Sequence, residues 1–337
     1  MVRAVLLTTI LFFHFPVYAQ TVSDEREREN AFFKAADKWF SAWKLLSKKI
    51  YKIKKVTPVE FVFFDDQYVY STSPITIREG TIIRGPNLMN LKLQWKKTLH
   101  HDSLQLPDHS VVPVSLMSFA AETGGENSKP FFVMPLPGFW KLAGVGSKEL
   151  GVENLITGVF LHEFSHSQQM QHFGKKIASF ERTYQFGTDL TDDIVQNLFS
   201  KDSSYVNQFK KEVEYFYELA SQNIPDKLSV QQGLHKLTSR QKNYFKDAYK
   251  NLSEVDDFFL TMEGLGQYSM YLWLIHPKGG NLDEAIAIKG VRRGGKWWSQ
   301  DEGFALFLIL GKLSKSKSWA KDMFGDKTET VITLINR

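Results

Sequence analysis

His162-Glu163-Phe164-Ser165-His166 sets two imidazoles four residues apart, with a carboxylate directly after the first. On an α-helix, residues four apart project from one face, so both rings can present a nitrogen to a single metal ion. Glu163 lies about 100° further round the axis. Its carboxylate can therefore reach a water bound to that ion without joining the ligand set. Leu155, Ile156, Val159 and Phe160 give the segment an apolar flank, which predicts a buried helix, and Gly174 supplies a stop. The chemistry this pattern implies is metal-assisted hydrolysis, with Zn2+ the expected ion.

Two histidines are one protein ligand short of a catalytic zinc site, which commonly takes three and keeps a position for water. Glu263 and His172 are the candidates. Glu263 interrupts an apolar helical pattern (Phe258, Phe259, Leu260, Met262, Leu265, Met270), where a carboxylate needs a partner or an ion. Gly264 and Gly266 beside it allow another helix to approach closely. His172 completes the three-histidine spacing of the metzincins, but Gln169 stands where metzincins place a turning glycine. A helix that continues through Gln169 carries His172 about 240° round from His166 and roughly 9 Å along the axis, out of reach of the same ion. Glu263 is the favoured third ligand and His172 the alternative.

With Glu263 as third ligand, the constellation resembles the gluzincin branch of HExxH zinc metallopeptidases, in which a glutamate on a later helix completes the site. The resemblance covers two short helical segments. It implies zinc ligands His162, His166 and Glu263, with Glu163 as general base and proton shuttle. An acidic residue often follows the third ligand by a few positions in that branch; here Gln267 occupies the region.

Other polar residues have structural readings. Tyr268 and Tyr271 share the Glu263 helix, and either hydroxyl is a candidate to hydrogen-bond a reaction oxyanion. Thr191-Asp192-Asp193 reads as a helix start, and Ser299-Gln300-Asp301-Glu302 as a capping box. Glu212, Glu214 and Glu218 read as a solvated helix face. Arg292, Arg293 and Lys296 read as a solvated loop able to hold a substrate carboxylate.

The elements that must position these groups follow from periodicity. Residues 24–51 are predicted helical, with an acidic start and a lysine-rich end that suit the helix dipole. Residues 60–64, 68–70, 111–120 and 130–135 read as strands, with a polar, glycine-containing loop over 122–129. Helices are predicted over 151–173, 192–199, 204–222, 230–237, 239–251, 255–274, 301–313 and 318–324. The expected fold is α+β: an N-terminal helix and small, mostly antiparallel sheet, then a large helical lobe, with the zinc site in the cleft between. The expected divisions are 1–19, a signal peptide; 20–175, carrying the HExxH helix; and 176–337, carrying the third ligand.

Arg3, the apolar run 4–13 and Val17-Tyr18-Ala19 form the three parts of a secretory leader in order, which predicts export to the periplasm or medium. No later stretch is long enough to span a bilayer. The chain has no cysteine, which excludes disulfides, thiolate ligands and a thiol nucleophile. A formal charge of +5 without interleaved arginine and aromatic residues argues against nucleic acid as a partner. The expected activity is therefore an exported zinc peptidase acting on a peptide or protein. Its rivals are a zinc amidase or esterase of another kind, and a silent binding or scaffold protein that retains the helix.

Overall fold

The structure, a computed structural model, describes residues 22–124, 128–325 and 327–337. The leader-like residues 1–19 and the centre of the predicted loop over 122–129 lie outside the described residues. The chain opens with helix α1 (Val22–Leu45), which runs on into a π-helical turn at Leu46–Tyr51. Strands β1 (Glu60–Phe64), β2 (Tyr68–Ser71), β3 (Thr81–Ile83), β4 (Trp95–Leu99), β5 (Ser103–Gln105), β6 (Val111–Pro113), β7 (Phe119–Glu122) and β8 (Pro130–Pro135) follow. Then come α2 (Pro137–Leu142), α3 (Val152–Gln169), α4 (Lys175–Thr183), α5 (Ile194–Phe199), α6 (Ser203–Ser221) and α7 (Lys227–Tyr244). The chain closes with α8 (Leu252–Ile275), α9 (Glu284–Arg292), α10 (Trp298–Leu313), α11 (Ser316–Met323) and α12 (Val331–Ile335). This is the expected order: an N-terminal helix, a small and mostly antiparallel sheet, and a large helical part.

The main sheet has the order β3-β4-β2-β1-β8-β7, with β1 and β8 parallel and every other pair antiparallel. β1 and β8 are central and buried almost throughout, as their unbroken apolar sequences require. Phe61 and Phe63 of β1, with Phe132 of β8, face α1 and α3. Trp39 stacks on Phe160 at 5.4 Å, Trp43 meets Phe164 edge-on at 4.9 Å, and Phe132 meets Phe160 at 5.3 Å. These rings fasten α3 to the sheet along one face and leave its histidine-bearing face for the helices that follow.

Three strands were not anticipated. β4 reads as polar because of Lys96 and Lys97, yet Lys97 is only 3% exposed. Its ammonium is held by Glu25, at 2.6 Å, and by Glu29, both on α1. The acidic start of α1 thus pairs with a buried lysine on the sheet, beyond any interaction with its own dipole. The 111–120 run is not one strand. It divides into β6, paired with β5 in a separate ribbon, and β7, at the edge of the main sheet.

The helical part is organised around a second buried charge. Arg240 of α7 is wholly buried and bonds Glu212 of α6 at 3.0 Å, Glu302 of α10 at 2.9 Å and the Tyr205 hydroxyl, with Asp256 of α8 3.8 Å away. Glu212 is therefore a core residue, while Glu214 and Glu218 are exposed as expected. Nor is 299–302 a capping box. Trp297 holds the N-cap position of α10, Ser299 lies inside the helix and Glu302 turns into the core. Replacing Arg240 with alanine leaves three buried carboxylates without their cation. The variant is expected to lose roughly 3–5 kcal/mol of stability, measured by urea unfolding.

Candidate metal centre

His162 and His166 lie on the face of α3 that meets α8. The two helices come close because small residues stand at the crossing. A Cβ at Gly266 would sit 2.6 Å from His162 Nδ1, and one at Gly158 would sit 2.6 Å from the Met270 side chain. On the next turn a Ser165–Ser269 hydrogen bond of 3.0 Å joins α3 to α8, and the Tyr51 hydroxyl reaches Ser269 at 2.8 Å. On its other side α8 crosses α10 at Gly264 and Gly303, where a Cβ at position 264 would lie 2.4 Å from the Gly303 carbonyl. The glycines flanking Glu263 thus act as the sequence implied, one toward each neighbouring helix.

This crossing brings Glu263 between the two imidazoles. Its carboxylate oxygens lie 3.2 Å from His162 Nε2 and 3.2 Å from His166 Nε2, and the two Nε2 atoms are 3.0 Å apart. All three residues are buried. Ligand atoms around a tetrahedral zinc are separated by about 3.3 Å, so the group has the compactness that such an ion demands. His162, His166 and Glu263 form a buried group that can hold a metal ion. His172 does not enter it. With no glycine at 169 the chain continues through a π-helical turn, Met170–Gly174, into α4, and the ring is not carried round to the ion.

The protonation of the group suits a cation. Burial acts to raise the Glu263 pKa, but the adjoining imidazoles outweigh it and hold the carboxyl well below its usual range. Burial lowers the His162 pKa and favours its neutral, ligating form. Burial acts on His166 in the same direction, but Glu263 and Asp192 outweigh it and leave this imidazole more basic than usual.

Gln300 was not foreseen. Its amide donates to Glu263 Oε2 at 3.2 Å and accepts from Gln267 at 2.6 Å. Gln267, at the place where the gluzincins often carry an acid, thus acts on Glu263 through a second glutamine. The two amides fix the carboxylate without adding charge.

The group lies at the side of a cleft of about 900 Å³. Leu116 and Ser118, just before edge strand β7, line one wall, and Trp140 and Trp297 line others. Glu163 faces this cleft beside His162, 7% exposed, with Oε2 lacking any hydrogen-bond partner among the described residues. Burial, reinforced by Glu263 and opposed by Arg293, raises its pKa well above the ordinary value. Arg293 lines the cleft from a left-handed turn, with φ of 49° followed by two positive-φ glycines. Arg292 points elsewhere and pairs with Asp301 and Glu214. Tyr268 is not brought to the cleft: its ring packs among Tyr271, Phe307 and Trp319, and the Tyr271 hydroxyl bonds Glu284 at 2.7 Å. Asp192 and Asp193 do line the cleft, although they read as a helix start. Asp193 takes the N-cap position of α5 but makes no side-chain cap bond.

Substituting Glu263 or His166 with alanine is expected to abolish tight metal binding, measured as metal per folded chain after dialysis, while His172→Ala leaves it unchanged. Gln300→Ala is expected to weaken affinity about 10- to 100-fold in a chelator competition. Because His166 must lose its proton to ligate and is more basic than usual, affinity is expected to fall as pH drops through neutrality. The His166→Ala variant serves as its blank.

Comparison of the chain with known protein families, with curated proteins and with solved structures finds no match.

Proposed function

We propose that the protein is an exported zinc-dependent hydrolase of the metallopeptidase type. The observation that carries this reading is the pairing of a buried His162–His166–Glu263 group with a buried carboxylate, Glu163, whose Oε2 has no hydrogen-bond partner among the described residues and which faces the adjoining cleft. Two imidazoles and one carboxylate are the donor set of catalytic zinc in hydrolases. When bound there, zinc supplies Lewis acidity and makes water a nucleophile near neutral pH.

The residues of the chain supply the remaining parts. Glu163, raised in pKa by burial, takes a proton from the attacking water and returns it to the leaving nitrogen. Gln300 and Gln267 hold Glu263 in one orientation, so that His162 and His166 keep their mutual geometry through the reaction. Arg293, the cation whose field reaches Glu163, tempers the excess of negative charge on that wall. β7 is an edge strand with its outer side unpaired in the sheet, and the cleft-lining Ser118 directly precedes it. An extended peptide laid along that edge gains main-chain hydrogen bonds and passes the metal group, which favours peptides over other amides or esters.

Glu163→Gln is expected to keep its metal and lose turnover by about 10²- to 10⁴-fold against peptide substrates. A folded, zinc-loaded wild-type chain that cleaves nothing in a broad peptide library, or a Glu163→Gln variant with undiminished turnover, overturns the reading.

A further inference from the structure

The buried carboxylates of this protein are partnered almost without exception. Asp65 faces Arg28, Glu212, Asp256 and Glu302 surround Arg240, Asp301 holds Arg292, Asp322 holds Arg337, and Glu263 sits against its two histidines. Among the described residues, two buried carboxylates have neither an ion pair nor a hydrogen bond: Glu163 and Asp192. Both line the same cleft. Glu163 has a role in the proposed hydrolysis. Asp192, 7% exposed, has none.

Its neighbours share the pattern. Thr191 Oγ1 and Asp193 Oδ1 are shielded from solvent and have no hydrogen-bond partner, and both residues line the cleft beside Asp192. One short turn before α5 therefore brings a hydroxyl and two carboxylates to the cleft wall, with Thr191 Oγ1 and Asp193 Oδ1 unsatisfied among the described residues. Of the charges that reach Asp192, those of Glu263, Asp193 and Glu163 are negative and only that of His166 opposes them, so the turn lies in a mainly negative field close to the metal group. The metal-binding group does not include these aspartates, so they are not a second ion site of the same kind.

We propose that the Thr191-Asp192-Asp193 turn is a substrate subsite that binds a primary ammonium group next to the scissile bond. An ammonium carries three donors and no acceptor, which matches two carboxylates and a hydroxyl that can turn its lone pairs to it. It also supplies the cationic partner that the buried acids other than Glu163 and Asp192 already have. The α-amino terminus of a peptide and a lysine side chain offer the same group. The scissile-bond placement rests on the hydrolase reading; the ammonium subsite itself does not.

The test uses the zinc-loaded Glu163→Gln chain and three neutral-bodied hexapeptides of one sequence, amidated at the C-terminus. One is N-acetylated, one has a free α-amino group, and one is N-acetylated with a single lysine. Binding is followed by tryptophan fluorescence, since Trp140 and Trp297 line the cleft. At least one cationic peptide is expected to bind about 10- to 100-fold tighter than the neutral one, the usual effect of a charge-assisted hydrogen bond. Which peptide gains identifies the source of the ammonium. The isosteric Asp192→Asn/Asp193→Asn pair is expected to erase the preference. Equal affinity for all three peptides overturns the proposal, as does a preference that survives the double substitution. Loss of zinc from the double variant with the preference intact also overturns it, since the aspartates then serve the metal group alone. Wild-type hydrolysis of the same peptides is scored separately. Cleavage without preference rejects the subsite and spares the hydrolase, whereas preference without cleavage does the reverse.

Discussion

How closely α8 approaches its two neighbours decides whether this molecule has a site at all. Glu263 reaches His162 and His166 because Gly266 gives its volume to the His162 ring and Gly264 lets α10 lie backbone to backbone against α8. A single Cβ at either contact meets an atom inside van der Waals distance, and close-packed interiors absorb such an intrusion only by shifting whole elements. The same approach places Gln300 of α10 on Glu263 Oε2, the oxygen that also faces His162. The Glu263 carboxylate, its support and the helix spacing are therefore one structural fact seen from three sides.

Charge is handled in two opposed ways within the helical part. Around Arg240 three acids and a tyrosine converge on one guanidinium, which fixes α6, α7, α8 and α10 relative to one another. Glu302, a member of that cluster, is two residues from Gln300, so α10 is pinned close to the point where it supports Glu263. Across the cleft wall the acids are left without cations. Burying a carboxylate unpaired is costly. The molecule tolerates that cost at Glu163 and Asp192, where a reacting or bound group can recover it. Interior charge is thus rigidifying in one place and receptive in the other.

The metal-binding group was legible because a four-residue spacing on a helix has one geometric meaning, and because a glutamate amid Phe258, Phe259 and Leu265 has few places to go. His172 stays outside the group for the same reason: without a glycine at 169 the chain continues helically past it. The support was not legible. Ser299 to Glu302 satisfies a capping pattern locally, and only the tertiary pull of Arg240 and Glu263 assigns Gln300 and Glu302 to other work. Asp192 and Asp193 do stand at a helix start, with Asp193 at the N-cap of α5, but nothing local shows that they also line the cleft. Strand β4 was hidden because Lys97 looks solvated until Glu25 and Glu29, more than sixty residues earlier, are brought beside it. Local patterns failed where a distant partner outbid them.

α1 carries a further consequence. Its Trp43 packs on Phe324 at 5.7 Å, and Tyr51, at the end of the π-helical turn that follows it, lies 6.0 Å from Trp319 of α11, so the start of the described chain is covered by α11 and the residue after it. Between these contacts come α3, α8 and α10 in order of synthesis. A chain emerging N-terminus first displays His162 and His166 long before Glu263 exists to join them, and Gln300 later still. Contacts of such long sequence separation form late and slowly. The metal-binding group is therefore incomplete in the emerging chain, and the two histidines remain an unfinished pair until α8 has been delivered and folded against α3.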